Sequence, residues 1–253
     1  CSDVSGNTNV ELKGEGVHVY SVVGGGLVDE DEGAANVGKN TNITISGGAW
    51  AGDTEVSSSQ PDKIAVAGGG HILSNDPSMI GTNSDIKTAT TNVGGEVHIT
   101  LNGITGNLVD CIVGGCYDAG KSNAEKITGT TGPVKIDIDN CRFESQFHRI
   151  FGGGYVAWGG NNRDIQVKGN VEITVDHSTV QYLYGGGCGI TAALPLVTGD
   201  VNITLTNSIG ADSNGAYMHR GIFVSGQNKN QAGGDMVLGN ATLTLNECKC
   251  NYI

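Results

Sequence analysis

The chain has 253 residues, 42 of them glycine and only 4 proline, so the glycine excess is neither collagen, which needs both, nor a proline-rich linker. Charged residues are 16%, against roughly 25% in an average soluble domain, while 38% of the chain is apolar, so a core can form and disorder is disfavoured. A formal charge of −12, with 14 scattered Lys and Arg, argues against nucleic acid and anionic lipid as partners.

The chain opens on Cys1-Ser2 without methionine, charged n-region or apolar h-region, as a mature secreted form would; a lipid-anchored N-terminal cysteine would look the same. At Asn9 comes NVEL, whose second and fourth residues are aliphatic and the others polar, the period-two alternation of a strand with one buried face. Val22-Val23 and a run of glycines from Gly24 follow. Next comes the acidic run Asp29, Glu30, Asp31, Glu32, which could gather Ca²⁺ through carboxylate oxygens but lacks the spacing of an EF-hand or a calcium-binding β-roll.

The same pair of motifs then recurs. NITI at Asn42 precedes Ala67-Gly68, HITL at His98 precedes Ile112-Val113-Gly114, and KIDI at Lys135 precedes Ile150-Phe151-Gly152. EITV at Glu172 precedes Leu183-Tyr184-Gly185, NITL at Asn202 precedes the degenerate Phe223-Val224-Ser225-Gly226, and TLTL at Thr242 closes the series. A unit of this size cannot bury its own apolar face, whereas stacked units can. The spacing predicts an all-β chain, a single parallel β-solenoid over residues 1–253, right-handed as parallel crossovers usually are, with about six coils and GGG corners. Its inward column would be Val10, Ile43, Ile99, Ile136, Ile173, Ile203 and Leu243, with two or three strands per period.

Outward positions carry little recognisable chemistry. Lys135, Asp137 and Glu172 could share a face, as the paired carboxylates of carbohydrate-cleaving enzymes do, but isolated charges occur on any repeat surface. The threonines Thr44, Thr100, Thr174, Thr204 and Thr244 form a ladder, yet the neighbouring column mixes charges, a poor match to an ice lattice. The histidines, His18, His71, His98, His148, His177 and His219, show no metal-ligand spacing, and GGG without a following Lys and helix is no phosphate loop. The expectation is no catalytic residue, no metal site, no cofactor and no enzyme. Asn42, Asn202 and Asn240 begin glycosylation sequons, which strand alternation alone also generates.

The cysteines number seven, so if all were oxidised at least one would need an external partner. Cys141 and Cys248 share a repeat column three rungs apart, roughly 14 Å at the strand spacing and beyond the reach of a disulfide. Cys111, Cys116, Cys141 and Cys188 are the internal candidates for pairing, or else small buried fillers. Cys1, Cys248 and Cys250 lie at the two ends and are candidates for disulfides between subunits.

The alternation of NITISGGAW at Asn42 with YLYGGG at Tyr182 resembles the glycine-rich β-helical surface and adhesin-like repeats of anaerobic bacteria and archaea, and more loosely an archaeal sheath subunit. That resemblance implies secretion, cell-surface anchoring and a structural or adhesive role, with no catalytic residues to carry over. The expected function is therefore an extracellular structural protein that self-assembles with copies of itself into a sheath, surface layer or filament. A monomeric β-helix module that binds or cleaves polysaccharide is the alternative, although Trp50 and Trp158 are the only tryptophans for a sugar platform.

Overall fold

In the computed structural model, residues 3–15, 21–28, 32–51, 64–72, 88–107, 111–118, 126–143, 149–157, 162–189, 194–208, 221–228, 236–248 and 253 are described. The seven alternating motifs form strands Thr8–Lys13, Thr41–Ser46, Val97–Asn102, Val134–Asp139, Val171–Asp176, Val201–Thr206 and Ala241–Asn246, paired in parallel, in sequence order, in one sheet. Pairing is in register throughout, so Ile43, Ile99, Ile136, Ile173 and Ile203 stack directly over one another. Each of these is at most 1% exposed, and full burial of such a side chain is worth about 2 kcal/mol.

The expectation of one β-solenoid of about six coils around one core does not stand. The described residues are all-β and parallel, but they divide among four separate sheets of seven, six, six and five strands, with a further sheet of three. The physical reason lies at the strand ends. Every long strand stops at a residue in the left-handed region: Gly14, Gly47, Gly103, Asn140, His177, Asn207 and Glu247 all have positive φ, from 43° at His177 to 110° at Gly14. Glycine adopts this readily and asparagine at small cost. The glycine runs break the chain a second time. A Cβ on Gly153 would lie 2.7 Å from the amide nitrogen of Gly187 in the next repeat, so only glycine allows these turns to stack.

Apolar side chains accordingly gather in three clusters. The largest is the aliphatic ladder, which also takes in Val66, Ile112, Ile150, Leu183 and Ile222 from the strands preceding the glycines. Beyond the glycine turn, the other face of those strands packs on strands such as Tyr117–Asp118 and Tyr155–Val156, making a second cluster rich in aromatic rings. A third is built from Val28, Ile72, Ile127, Val156 and Ile165, among others. Beside it lies an ion pair, Arg163 Nη1 to Asp118 Oδ2 at 3.2 Å, with both side chains at most 1% exposed. Burial lowers the Arg163 pKa and the adjacent Asp118 carboxylate opposes that shift, so each charge keeps the other tolerable. No helix long and apolar enough to cross a membrane is present among the described residues.

Candidate functional site

The outward face of the seven-stranded sheet is three polar columns wide. Register brings together the residues that sequence placed on one face: Lys135 lies opposite Glu172, and Asp137 lies between Thr100 and Thr174. Asp137 is already engaged, its Oδ2 receiving Lys135 Nζ at 3.1 Å and His98 Nε2 at 2.8 Å. Thr100 Oγ1 contacts the same His98 nitrogen at 3.3 Å, so the imidazole does not relay between hydroxyl and carboxylate through its two nitrogens. The arrangement can hold a local network of charge-assisted hydrogen bonds on a strand face.

A second cluster sits at the end of this face. Asp139 and Asp176 are directly opposite across neighbouring strands, and with His177 they offer three ligand atoms within 4.8 Å of one another. Two carboxylates and an imidazole suit a divalent ion of the Zn²⁺ or Mn²⁺ type. The acids also have protein partners, since His177 Nδ1 lies 2.9 Å from Asp176 Oδ1 and Asn140 Nδ2 donates to Asp139 Oδ2 at 3.0 Å. Sequence reading missed this grouping because the histidine is not spaced from another ligand along the chain. The signal was columnar, an Asp closing two successive long strands with His after the second.

The acidic run cannot be placed in this way: Asp29, Glu30 and Asp31 lie outside the described residues, and of Glu32 only its strand position is described. Of the sequons, Asn202 and Asn240 are exposed, whereas Asn42 is half-buried with its Nδ2 donating to Asn9 Oδ1 at 2.8 Å.

Cys111, Cys116, Cys141 and Cys188 are buried and Cys248 is half-buried, while Cys1 and Cys250 lie outside the described residues. Cys116 and Cys188 belong to different clusters, the third and the second. Cys116 takes the place of the third glycine in its turn, and Cys188 pairs with Tyr155 in the strand that follows. Burial pushes the Cys116 and Cys141 thiols up to about 11, the range of inert structural cysteines. Cys141 and Cys248 share their column with Ser178 and Ser208, and all four side chains donate to the carbonyl two residues earlier, at 3.3, 3.2, 2.6 and 2.8 Å.

The aromatic residues, few as they are, are concentrated. His71, Tyr117, Tyr155, Phe151, Tyr184 and Phe223 form one continuous run of ring contacts, with centroids 4.9 to 5.3 Å apart. Tyr155 and Phe151 are fully buried and Tyr184 is 5% exposed, so the middle of the run is packed core, whereas its last ring, Phe223, is 39% exposed. Burial drives the Tyr184 phenol up to about 12.

The remaining feature is at the two ends of the long-strand sheet. Thr8–Lys13 and Ala241–Asn246 each pair along one edge only among the described residues. Their aliphatic pairs, Val10 with Leu12 and Leu243 with Leu245, are half-buried where the interior equivalents are buried. No protein-family model, curated protein or solved structure matches the chain.

Proposed function

We propose that the protein is a structural building block that stacks end to end with copies of itself into a filament or layer at the outside of the cell. The observation that carries this reading is the pair of end strands, each paired along one edge only among the described residues, which present the same columns of the same repeat. Val10 and Leu12 head the two aliphatic columns that Leu243 and Leu245 end. An open strand edge with a half-covered aliphatic pair is a template for strand addition, and a second copy supplies a strand of matching pattern. Such a contact joins two different surfaces and does not close on itself, so it propagates.

The exterior location and the sheath-like form rest on the resemblance of the NITISGG and YLYGGG strands to surface repeats. The reading assigns no catalytic role, and the burial of Phe151, Tyr155 and Tyr184 leaves Phe223 as the one well-exposed ring of the aromatic run, which favours it over the polysaccharide alternative. Light scattering and electron microscopy of the purified chain test it: mass should rise with concentration and give linear particles, and a monomer persisting at millimolar concentration overturns it.

A further inference from the structure

The stack should have a fixed polarity, written in a ladder of side-chain amides just before the long strands. The residue preceding each long strand is Asn7, Asn40, Glu96, Pro133, Asn170, Asp200 or Asn240. Wherever this column holds an Asn or Asp followed by a residue with an N–H, the side-chain oxygen accepts the backbone amide of the next repeat. Asn7 Oδ1 accepts Asn40 N at 3.1 Å, Asn40 Oδ1 accepts Glu96 N at 3.0 Å, Asn170 Oδ1 accepts Asp200 N at 3.0 Å, and Asp200 Oδ1 accepts Asn240 N at 2.7 Å. The exception fits the rule: Pro133 has no N–H to give, and the residue before it in the column is Glu96.

The backbone beside the ladder is equally directional. The first amide of each long strand points to the next repeat, as Thr8 N to Asn40 O at 2.9 Å and Val201 N to Asn240 O at 2.8 Å. By this pattern the first repeat presents Asn7 N–H and C=O at its open edge, and the last presents Asn240 Oδ1 and Ala241 N–H at the other. The Asn240 amide is oriented for this, because its Nδ2 donates backwards to Asp200 Oδ1 at 3.3 Å and leaves Oδ1 facing forward. A parallel ladder runs through Asp3, Asn36 and Asn92 with the same sense, Asp3 Oδ1 accepting Asn36 N at 2.8 Å and Asn36 Oδ1 accepting Asn92 N at 3.0 Å.

We infer that copies of this chain join head to tail only, with Asn240 Oδ1 of one copy accepting Asn7 N–H of the next and Ala241 N–H donating to Asn7 C=O. This rests on the stacking reading above and adds its direction and its specificity residues. A joint between two Asn240 ends or two Asn7 ends runs the edge strands antiparallel and carries the ladder residue to the far end of the partner strand, so the Asn240 Oδ1 to Asn7 N–H bond cannot form there.

The test uses the full chain with Cys1, Cys248 and Cys250 changed to Ser, carrying either Asn9→Cys or Thr242→Cys. These positions share one column, so a head-to-tail joint sets them directly opposite. Oxidation of the mixture should give a cross-linked heterodimer, while each variant alone stays uncross-linked; homodimers of either variant alone overturn the polarity. Asn7→Pro and Asn240→Leu should each weaken association roughly fivefold, the effect of one hydrogen bond. Proline at position 7 is compatible with the fold because Pro133 already occupies the column after a glycine, as Asn7 does; the variant loses only the exposed bond from Asn40 N to Asn7 Oδ1, so a slightly lowered melting temperature verifies this. If stacking persists at full strength in both Asn7→Pro and Asn240→Leu, the ladder inference fails while the stacking reading stands. A parent chain that never associates overturns both.

Discussion

The long-strand sheet and the aromatic flank beyond the glycine turns are built from the same repeats, yet they obey different packing rules. In the long-strand sheet each rung is self-similar: Ile43, Ile99, Ile136, Ile173 and Ile203 are one residue type in one environment. In the flank, two facing columns change together along the chain. The column before the glycines reads Val23, Ala67, Val113, Phe151, Tyr184, Phe223, and the one after them reads Leu27, His71, Tyr117, Tyr155, Cys188, Gln227. From Ala67 and His71 onward, where one side is small the other carries a ring, except at Phe151 and Tyr155, where two rings meet edge to face at 5.3 Å and the stack passes from one column to the other; the first pair, Val23 and Leu27, has no ring. The sheet thus repeats one shape rung by rung, whereas the flank places its bulk now in one column and now in the other.

The contrast is broken most severely from the sheet side. Ile136→Asp puts an uncompensated carboxylate between Ile99 and Ile173, in a column with no polar partner, and should cost at least about 4 kcal/mol. Far-UV circular dichroism should show loss of the cooperative melt; an unchanged melting temperature would refute the inward assignment.

The flank offers a subtler test, because it allows exchange across columns. Tyr184→Val removes a ring stacked on both Phe151 and Phe223 and should cost about 3 kcal/mol. Adding Cys188→Tyr recreates the Val113 and Tyr117 pairing two rungs further along, and should return at least about 1 kcal/mol of it in a double-mutant cycle. Strict additivity of the two changes in urea denaturation would show that the columns do not share volume.

Acid should also separate the two regions, since the sheet core holds no carboxylate or imidazole and the flank has His71. Burial holds the His71 imidazole down at about 4, from an ordinary 6.5, so the folded state binds the neutral form. As pH falls the unfolded chain takes up the proton first, so this contribution is complete above 6.5, is lost progressively down to about 4, and falls no further below that. His71→Tyr, the residue its column uses at Tyr117 and Tyr155, should flatten the dependence of the urea midpoint between pH 7 and 4.5. An equally steep dependence in that variant would assign the acid response elsewhere.

This division also marks what sequence could reveal. The aliphatic columns were legible because alternation at period two is a local pattern, and local patterns survive in a one-dimensional string. Chain order within the seven-stranded sheet followed from repetition alone. The flank was legible only in part: Phe151 and Tyr184 stand before the glycines of successive repeats, but matching Phe223-Val224 to Leu183-Tyr184 set the last copy one residue off, since the structure pairs Phe223 with Tyr184 and Ile222 with Leu183, and only register across repeats reveals that. The same limit hid the pairing of Asp139 with Asp176 and His177, and the left-handed strand ends at Asn140, His177, Asn207 and Glu247, where four different contexts replace the glycine of Gly47 and Gly103. The number of sheets was misjudged for a related reason: strands of two residues, such as Leu27–Val28 and His71–Ile72, are too short to show alternation.

The smallest expected effect is at Cys141, and it turns on whether that cysteine matters as sulfur or only as an occupant of its column. The thiol donates to Asp139 O at 3.3 Å, and its own backbone amide donates to Ser178 Oγ at 2.9 Å, which in turn donates to Asp176 O at 2.6 Å. Ser208 repeats the pattern one rung on, receiving the Ser178 amide at 3.4 Å and donating to Thr206 O at 2.8 Å. A hydroxyl therefore fits this column twice already, in surroundings equally buried: Cys141, Ser178 and Ser208 are each at most 1% exposed. Cys141→Ser trades the packing of a sulfur for a shorter, stronger hydrogen bond, two terms that oppose one another, and the net change in stability should be within about 1 kcal/mol. Ser178→Ala is the informative contrast, since it leaves the Cys141 amide buried without its acceptor and should cost about 2 kcal/mol. Equilibrium unfolding of both variants decides the matter. A large loss in Cys141→Ser, equal to or beyond that of Ser178→Ala, would show that the thiol does something a hydroxyl cannot, and would point to a role for sulfur that the column geometry does not contain.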